Sequence, residues 1–226
     1  KLFKKLSSCN VLNIVVRLLF NWYNTQMFIV KWGNTLSDPF TVTNGVRQGG
    51  VLSPALFNVY IDDLSCKLNE LSAGCNIDDV SCNHLVYADD TVLLAPSPSA
   101  LQDLLDCCEE YARLFDIIYN VKKTFCMCIK PKCFKDLQVP TFYLNRRSLT
   151  FTSEQKYLGF MMTDAFTDDN DITRQMKYMY CVGNSLVRNF KHCNDEVKLQ
   201  LFKTYCTNFY CCQLWSVYKN NTMNKL

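Results

Sequence analysis

The feature that most limits what this chain can fold into is Tyr87-Ala88-Asp89-Asp90. It lies between two apolar runs, His84-Leu85-Val86 and Thr91-Val92-Leu93-Leu94. An apolar run, a polar pair and a second apolar run read as strand, tight turn, strand, with both acids at the turn. Adjacent residues on a regular strand point to opposite faces. A turn between them brings both carboxylates to one side, as a divalent cation requires. Magnesium takes one or two carboxylates together with substrate phosphates. The four residues therefore point toward phosphoryl-transfer chemistry, and a solvated Asp-Asp turn is the plain alternative.

The rest of the chain must carry the choice between these readings. Its 226 residues, 49% hydrophobic and 20% charged, suffice for one large domain or two small ones. A net charge of +3 permits nucleic-acid contact without arguing for it. The start, Lys1 to Leu6, has an amphipathic helical pattern and not that of a secretory signal. The 14 cysteines are irregularly spaced and contain no C-x-x-C pair. They read as free buried thiols of an intracellular protein, not as a disulfide framework or a zinc site. The longest apolar run, Val11 to Phe20, is broken by Asn13 and Arg17, which predicts no membrane span.

Periodicity predicts a helix capped at Asn10 and running to about Asn24, with Leu12, Val15, Val16, Leu19 and Trp22 inward. Gln26 to Trp32 and Phe40 to Thr43 read as a hairpin around Gly33-Asn34. Ser53 as cap and Pro54 in the first turn open a helix with Leu56, Phe57, Tyr60, Ile61, Leu64 and Leu68 on its apolar face. A helix capped near Ser97 follows the Asp89-Asp90 hairpin. Ile117 to Tyr119 and Phe125 to Ile129 read as strands, and Lys130 to Pro140 as a polar loop. Short strands are expected at Phe142 to Leu144, Leu149 to Phe151 and Tyr157 to Met162. From Asp168 the pattern is helical, and a second helix after Asn194 carries Val197, Leu201, Tyr205 and Phe209 inward. These signals predict an α+β chain with a boundary near residue 165, mixed before it and all-helical after it.

Three further segments carry candidate chemistry. Asn44-Gly45-Val46-Arg47-Gln48-Gly49-Gly50 is a loop whose glycines allow positive φ and close backbone approach. It sets Arg47 and Gln48 before a helix N-terminus, which favours phosphate or nucleotide. Its plain alternative is a glycine-rich connection with solvated side chains. Lys122-Lys123-Thr124 offers a lysine that can neutralise charge or donate a proton, or simply two exposed lysines in a turn. Tyr157-Leu158-Gly159-Phe160 reads, taken alone, as a core strand with a local bulge.

The order changes the reading. Asn44 to Pro54, then Tyr87-Ala88-Asp89-Asp90, then Lys123-Thr124, then Leu158-Gly159 form one ordered set. It resembles the reverse transcriptases of non-LTR (LINE-type) retrotransposons over nearly the whole chain. The first two motifs are specific and the last two supportive. The resemblance implies a right-hand fold: a palm of antiparallel sheet with helices on one side over residues 1–164, a helical thumb over 165–226, and fingers largely missing. It implies that Asp89 binds two catalytic magnesium ions with Asp90 as neighbour, and that Tyr87 and Ala88 lie beside the primer end. Arg47, Gln48 and Gly49 would face template and incoming nucleotide, Lys123 the leaving pyrophosphate, and Leu158-Gly159 would grip the primer. The implied partners are an RNA template, a DNA primer and dNTP, in the nucleus or with the element's RNA.

One departure matters. The family uses a further palm aspartate on a strand upstream of the glycine loop, and no Asp or Glu precedes Asp38 here. Asp38 sits in a turn, and Asp62 and Asp63 read as solvent-facing on a helix. The expectation is therefore that the chain begins downstream of the first catalytic aspartate, lacks the N-terminal palm and fingers segment, and does not polymerise alone. Rival readings are a non-catalytic nucleic-acid-binding relic, with Lys122, Lys123, Arg146 and Arg147 lining a duplex-sized cleft, and an intron-encoded maturase fragment. An RNA-dependent RNA polymerase fits less well, since Ala88 stands where those enzymes usually have glycine.

Overall fold

The computed structural model describes residues 1–42, 45–78, 80–129 and 138–224. Asn44, which opens the glycine-loop motif, Thr43 and most of the stretch 130–140 lie outside the described residues. Backbone contacts divide the chain into two units, residues 1–119 with 143–145, and residues 120–142 with 146–226. The boundary expected near residue 165 falls inside the second unit. No helix among the described residues is long and apolar enough to cross a membrane.

In the first unit, α1 (Leu2–Ser8) and α2 (Asn13–Thr25) precede two small antiparallel ladders. Met27–Phe28 pairs with Phe40–Thr41, and Lys31–Trp32 with Thr35–Leu36, so the expected hairpin around Gly33-Asn34 forms as two short ladders. The α2 start differs from the expected cap. Asn10 takes a positive φ of 57°, and the helix begins at Asn13. Only Val16 and Leu19 of the expected stripe are buried; Leu12, Val15 and Trp22 are exposed. Apolar periodicity marks which face of a helix is greasy, but it does not supply a surface to cover that face.

The core of this unit lies between α3 (Ser53–Glu70) and α4 (Pro98–Phe115). Leu64, Leu68, Leu104, Cys108 and Tyr111 form one buried cluster. α4 is capped as its sequence requires, with Ser97 Oγ accepting from the Ala100 amide at 3.2 Å. α1 is pinned to this core through Lys5. Its ammonium donates to the Tyr60 carbonyl at 2.7 Å and the Tyr111 hydroxyl at 2.8 Å, pairs with Asp63 at 2.7 Å, and sits 4.5 Å from the Phe115 ring centre. Asp63 is exposed, as expected, and has this lysine as its partner. Residues 143–145 are held on α4 by Gln102, which donates to the Tyr143 carbonyl and accepts from its amide, each at 3.1 Å.

In the second unit, Phe125–Cys126 runs parallel to Thr150–Phe151, and Glu154–Tyr157 pairs antiparallel with Phe160–Thr163. The helices α5 (Asp169–Asn189) and α6 (Asp195–Tyr205) follow. Asn194 caps α6 by accepting from the Val197 amide at 2.9 Å. The expected inward face of α6 is not covered: no α6 residue is buried, and Val197 and Tyr205 are exposed.

The fold is mixed α/β with short, mostly antiparallel strand pairs. Each described strand has a single partner, so the one antiparallel sheet expected from sequence is here a set of separate two-stranded ladders. Residues 117–119 form no strand, and Val121–Lys123 is a 3₁₀ turn. The cysteines also divide differently from expectation. Among the described residues all are free, but only Cys108, Cys126 and Cys206 are buried, and Cys9, Cys66, Cys181 and Cys212 are exposed. Burial pushes the Cys108 thiol up to about 12, which keeps it protonated and unreactive.

Candidate functional site

The acidic hairpin forms as the alternation of its strands dictates, with one shift. Its strands are His84–Tyr87 and Asp90–Leu93, and Tyr87 stands opposite Asp90. The turn is therefore Ala88-Asp89, and Asp90 opens the second strand where it was expected to share the turn. Ala88 has a φ of 53°, the left-handed region. For a residue with a Cβ this costs roughly 1–2 kcal/mol.

Register decides which way the acids face. Directly opposed residues project from the same side of a hairpin. Tyr87 and Asp90 share a side with Leu85 and Val92, and His84 and Leu93 share the other. Leu93 packs against the α3–α4 core. The side bearing Asp90 is the more open one: Leu85 is 49% and Tyr87 64% exposed, against 38% for Val86 on the other side. Asp89 and Asp90 are both exposed.

The base of the hairpin is tied down by a polar chain that sequence reasoning missed. Asn83 is 3% exposed, and its Nδ2 donates to the Leu68 carbonyl of α3 at 2.5 Å. That bond fixes the amide orientation, so Oδ1 faces His84 and accepts from Nδ1–H at 2.6 Å. With its proton on Nδ1, His84 presents the Nε2 lone pair to Ser65 Oγ of α3, 2.5 Å away. Burial holds the His84 pKa below its ordinary value, which keeps the ring neutral and this pattern intact. The Asn83 carbonyl closes the hairpin by accepting from the Leu94 amide at 2.9 Å. A polar pair, Asn83-His84, at the head of an apolar strand was the available signal.

The glycine loop is ordered by its own backbone and by Ser53. Gly45 and Gly49 take φ of 101° and 79°, the conformations for which glycine was expected. Gly50 is needed for space: a Cβ there would lie 2.7 Å from Ser53 Oγ. Ser53 was expected to cap α3. Instead Leu52 holds the cap position, and Ser53 Oγ donates to the Arg47 carbonyl at 2.5 Å. The Gly50 amide donates to the same carbonyl at 3.1 Å. Arg47, Gln48 and Gly49 are left exposed, with their backbone held.

The remaining candidates lie in the second unit. Lys122 and Lys123 are exposed on the 3₁₀ turn, with the Lys123 amide donating to Asn120 at 2.9 Å. Arg146 and Arg147 are exposed as well. Leu158-Gly159 is not part of a continuous strand with a bulge. It is the two-residue turn of the Glu154–Tyr157 and Phe160–Thr163 hairpin, with Tyr157 opposite Phe160. Both turn residues have positive φ, 45° at Leu158 and 89° at Gly159. Such turns match the right-handed twist of a hairpin, and Asn-Gly is their usual sequence. Leucine in the first place is strained.

Among the described residues, no group of three or more His, Cys, Asp or Glu side chains is arranged to hold a metal ion. Asp89 and Asp90 are two adjacent exposed carboxylates at the hairpin tip, and magnesium takes one or two carboxylates together with substrate oxygens. The donor set for two ions requires further oxygen ligands.

An exposed acidic hairpin anchored at its buried end, and a glycine loop that feeds a helix, are elements suited to phosphoryl transfer. The family model described as reverse transcriptase (RNA-dependent DNA polymerase) matches residues 1–162, and the chain belongs to that family. It is 35% identical over 134 residues to the retrovirus-related Pol polyprotein from type-2 retrotransposable element R2DM of Drosophila melanogaster, covering 56% of this chain and 12% of that protein. It is 24% identical over 232 aligned positions to the RNA-directed DNA polymerase from mobile element jockey of Drosophila funebris, covering 93% of this chain and 23% of that protein. A Pol polyprotein from type-1 retrotransposable element R2 of Popillia japonica is 30% identical over 132 residues, covering 58% of this chain and 20% of that protein. The chain thus spans less than a quarter of the length of these relatives. The resemblance to non-LTR retrotransposon reverse transcriptases, read from the motifs, is borne out.

Proposed function

We propose that this chain supplies the palm and thumb of a retrotransposon RNA-directed DNA polymerase, with residues 1–164 as palm and 165–226 as thumb. The observation that carries the reading is the Asp89-Asp90 hairpin, rooted in the α3–α4 core by Asn83 and His84 and bearing Tyr87 and Asp90 on its more open side. A rigid base with an open tip is what a metal-carboxylate site needs, because its ligands must hold position while substrate enters.

In this reading Asp89 and Asp90 are the chain's magnesium ligands. Magnesium, when bound, lowers the pKa of the primer 3′-hydroxyl and neutralises charge on the triphosphate. Tyr87 and Ala88 border the primer end. Arg47, Gln48 and the Gly49 backbone orient the incoming nucleotide against an RNA template. Lys123 offers charge, or a proton, to the leaving pyrophosphate. The backbone of the Leu158-Gly159 turn contacts the DNA primer. The work would be done in the nucleus or with the element's RNA.

We also infer that these 226 residues do not polymerise alone, because Asp89 and Asp90 are too few fixed ligands for two ions. The test is magnesium-dependent primer extension on an RNA template. The isolated chain gives no product. The same residues within a longer protein that adds an upstream carboxylate strand extend the primer, and Asp89→Ala lowers that rate by about a hundredfold or more. Robust extension by the isolated chain refutes the inactivity, and extension that survives Asp89→Ala refutes the site.

A second reading rests on Lys122, Lys123, Arg146 and Arg147, which are exposed and in no ion pair among the described residues. They suit duplex binding without catalysis. Binding that weakens steeply with salt supports this reading; no binding at low salt removes it.

A further inference from the structure

The second unit holds a fully buried carboxylate to which none of the roles above gives a part. Asp171, in the first turn of α5, is 0% exposed. Its Oδ1 accepts from the Met161 amide at 3.1 Å and from Arg174, Nε at 3.1 Å and Nη2 at 2.5 Å. Its Oδ2 accepts from Gln175 Nε2 at 2.7 Å and Trp215 Nε1 at 2.9 Å. Burial alone would raise the Asp171 pKa. The donors from Arg174, Trp215, Gln175 and Met161 outweigh it and hold the group below its ordinary value, so it is a buried anion. Removing such a charge from water is unfavourable unless every lone pair is met, as here.

The donors do not stop at the carboxylate. Arg174 Nη2 also donates to the Gly159 carbonyl at 2.7 Å, and Gln175 Nε2 to the Tyr210 carbonyl at 2.7 Å. The Tyr210 ring in turn covers Gly159, where a Cβ would lie 2.6 Å from it. Both arms of the network therefore end on one turn, Leu158-Gly159. That is the strained turn, with a leucine in left-handed conformation. Strained backbone persists where its surroundings over-determine it, and such places gather at functional sites. A buried ion pair is weak evidence for stability by itself, and fixing a conformation is its better-attested use.

We propose that Asp171 and Arg174 are positioning residues for the Leu158-Gly159 turn: the buried carboxylate aims the guanidinium, and the guanidinium fixes the Gly159 carbonyl, so the turn meets the primer strand in one backbone conformation. This rests on the reading of that turn as a primer contact.

The test compares wild type, Arg174→Gln and Arg174→Lys of the full 226-residue chain. Affinity for an RNA–DNA hybrid with a recessed DNA 3′ end is read by fluorescence anisotropy against a blunt hybrid. Amide hydrogen exchange is read at Met161, with the Asp164 amide, bonded to the Ser153 carbonyl at 2.9 Å, as a control at the hairpin's far end. Loss of the charge-assisted bond to the Gly159 carbonyl, with the two to Asp171 that aim it, predicts that Arg174→Gln weakens recessed-end binding at least about tenfold and speeds Met161 exchange by a similar factor. Arg174→Lys, which keeps a donor for Gly159, falls between. Exchange at Asp164 stays unchanged, which separates a local release from unfolding. Unchanged affinity in Arg174→Gln overturns the positioning role, whatever the exchange shows. A wild-type chain with no preference for the recessed end overturns the primer reading itself.

Discussion

Replacing Asn83 should loosen the acidic hairpin without touching either aspartate. In Asn83→Ala two hydrogen bonds are lost, Nδ2 to the Leu68 carbonyl and His84 Nδ1 to Oδ1. Each is worth about 1 kcal/mol net, and the orphaned His84 donor adds roughly 1 kcal/mol more. The Leu68 carbonyl is not orphaned, because the Leu71 amide already donates to it at 3.2 Å. The expected destabilisation is therefore about 3 kcal/mol. With an m-value of about 2 kcal/mol/M, this lowers the urea midpoint of the first unit by roughly 1.5 M. Asn83→Asp sharpens the test. It keeps the shape, sets a carboxylate against the Leu68 carbonyl, and places a negative charge beside His84. The His84 pKa, held low by burial in the wild type, should then move above its ordinary value of 6.5. The chain has two histidines, so proton NMR resolves His84 against the exposed His192. An Asn83→Ala cost under about 0.5 kcal/mol, or an Asn83→Asp variant in which His84 still titrates low, would show that this chain of bonds does not anchor the hairpin.

Two other outcomes follow from the same hairpin. Ala88→Gly removes the left-handed strain at the turn and should raise the urea midpoint by an amount equivalent to about 1 kcal/mol; a lowered midpoint would contradict the turn geometry. Because the folded His84 pKa lies below the unfolded value, the unfolded chain binds the proton first, and stability should fall as pH drops from about 7 toward 5. His84→Gln should flatten that slope in urea titrations run across the range.

Much of the local structure was legible because it depends on neighbours in sequence. The Ser97 and Asn194 caps, the α3 apolar face and the Gly45 and Gly49 conformations are decided within a few residues. The α2 and α6 faces were misread because periodicity gives direction but no partner. The Leu158-Gly159 turn was misread for a different reason. A Leu-Gly pair between apolar residues has no hairpin signature, and its turn is held by Asp171 and Arg174 from a helix further along the chain.

Sequence order alone determined the family. Its motifs are runs of adjacent residues whose chemistry depends on spacing along the backbone. Tertiary structure alone decided how those motifs are held. A strand's alternation leaves two faces equivalent until one packs on a core. Here Leu93 goes to α3 and α4, and Asp90 with Tyr87 is therefore turned outward. The anchors of both turns, Asn83 with His84 and Asp171 with Arg174, join residues that only the folded chain brings within hydrogen-bond reach of their partners. Buried polar groups must find partners wherever the fold places them, and no sequence spacing specifies where that will be.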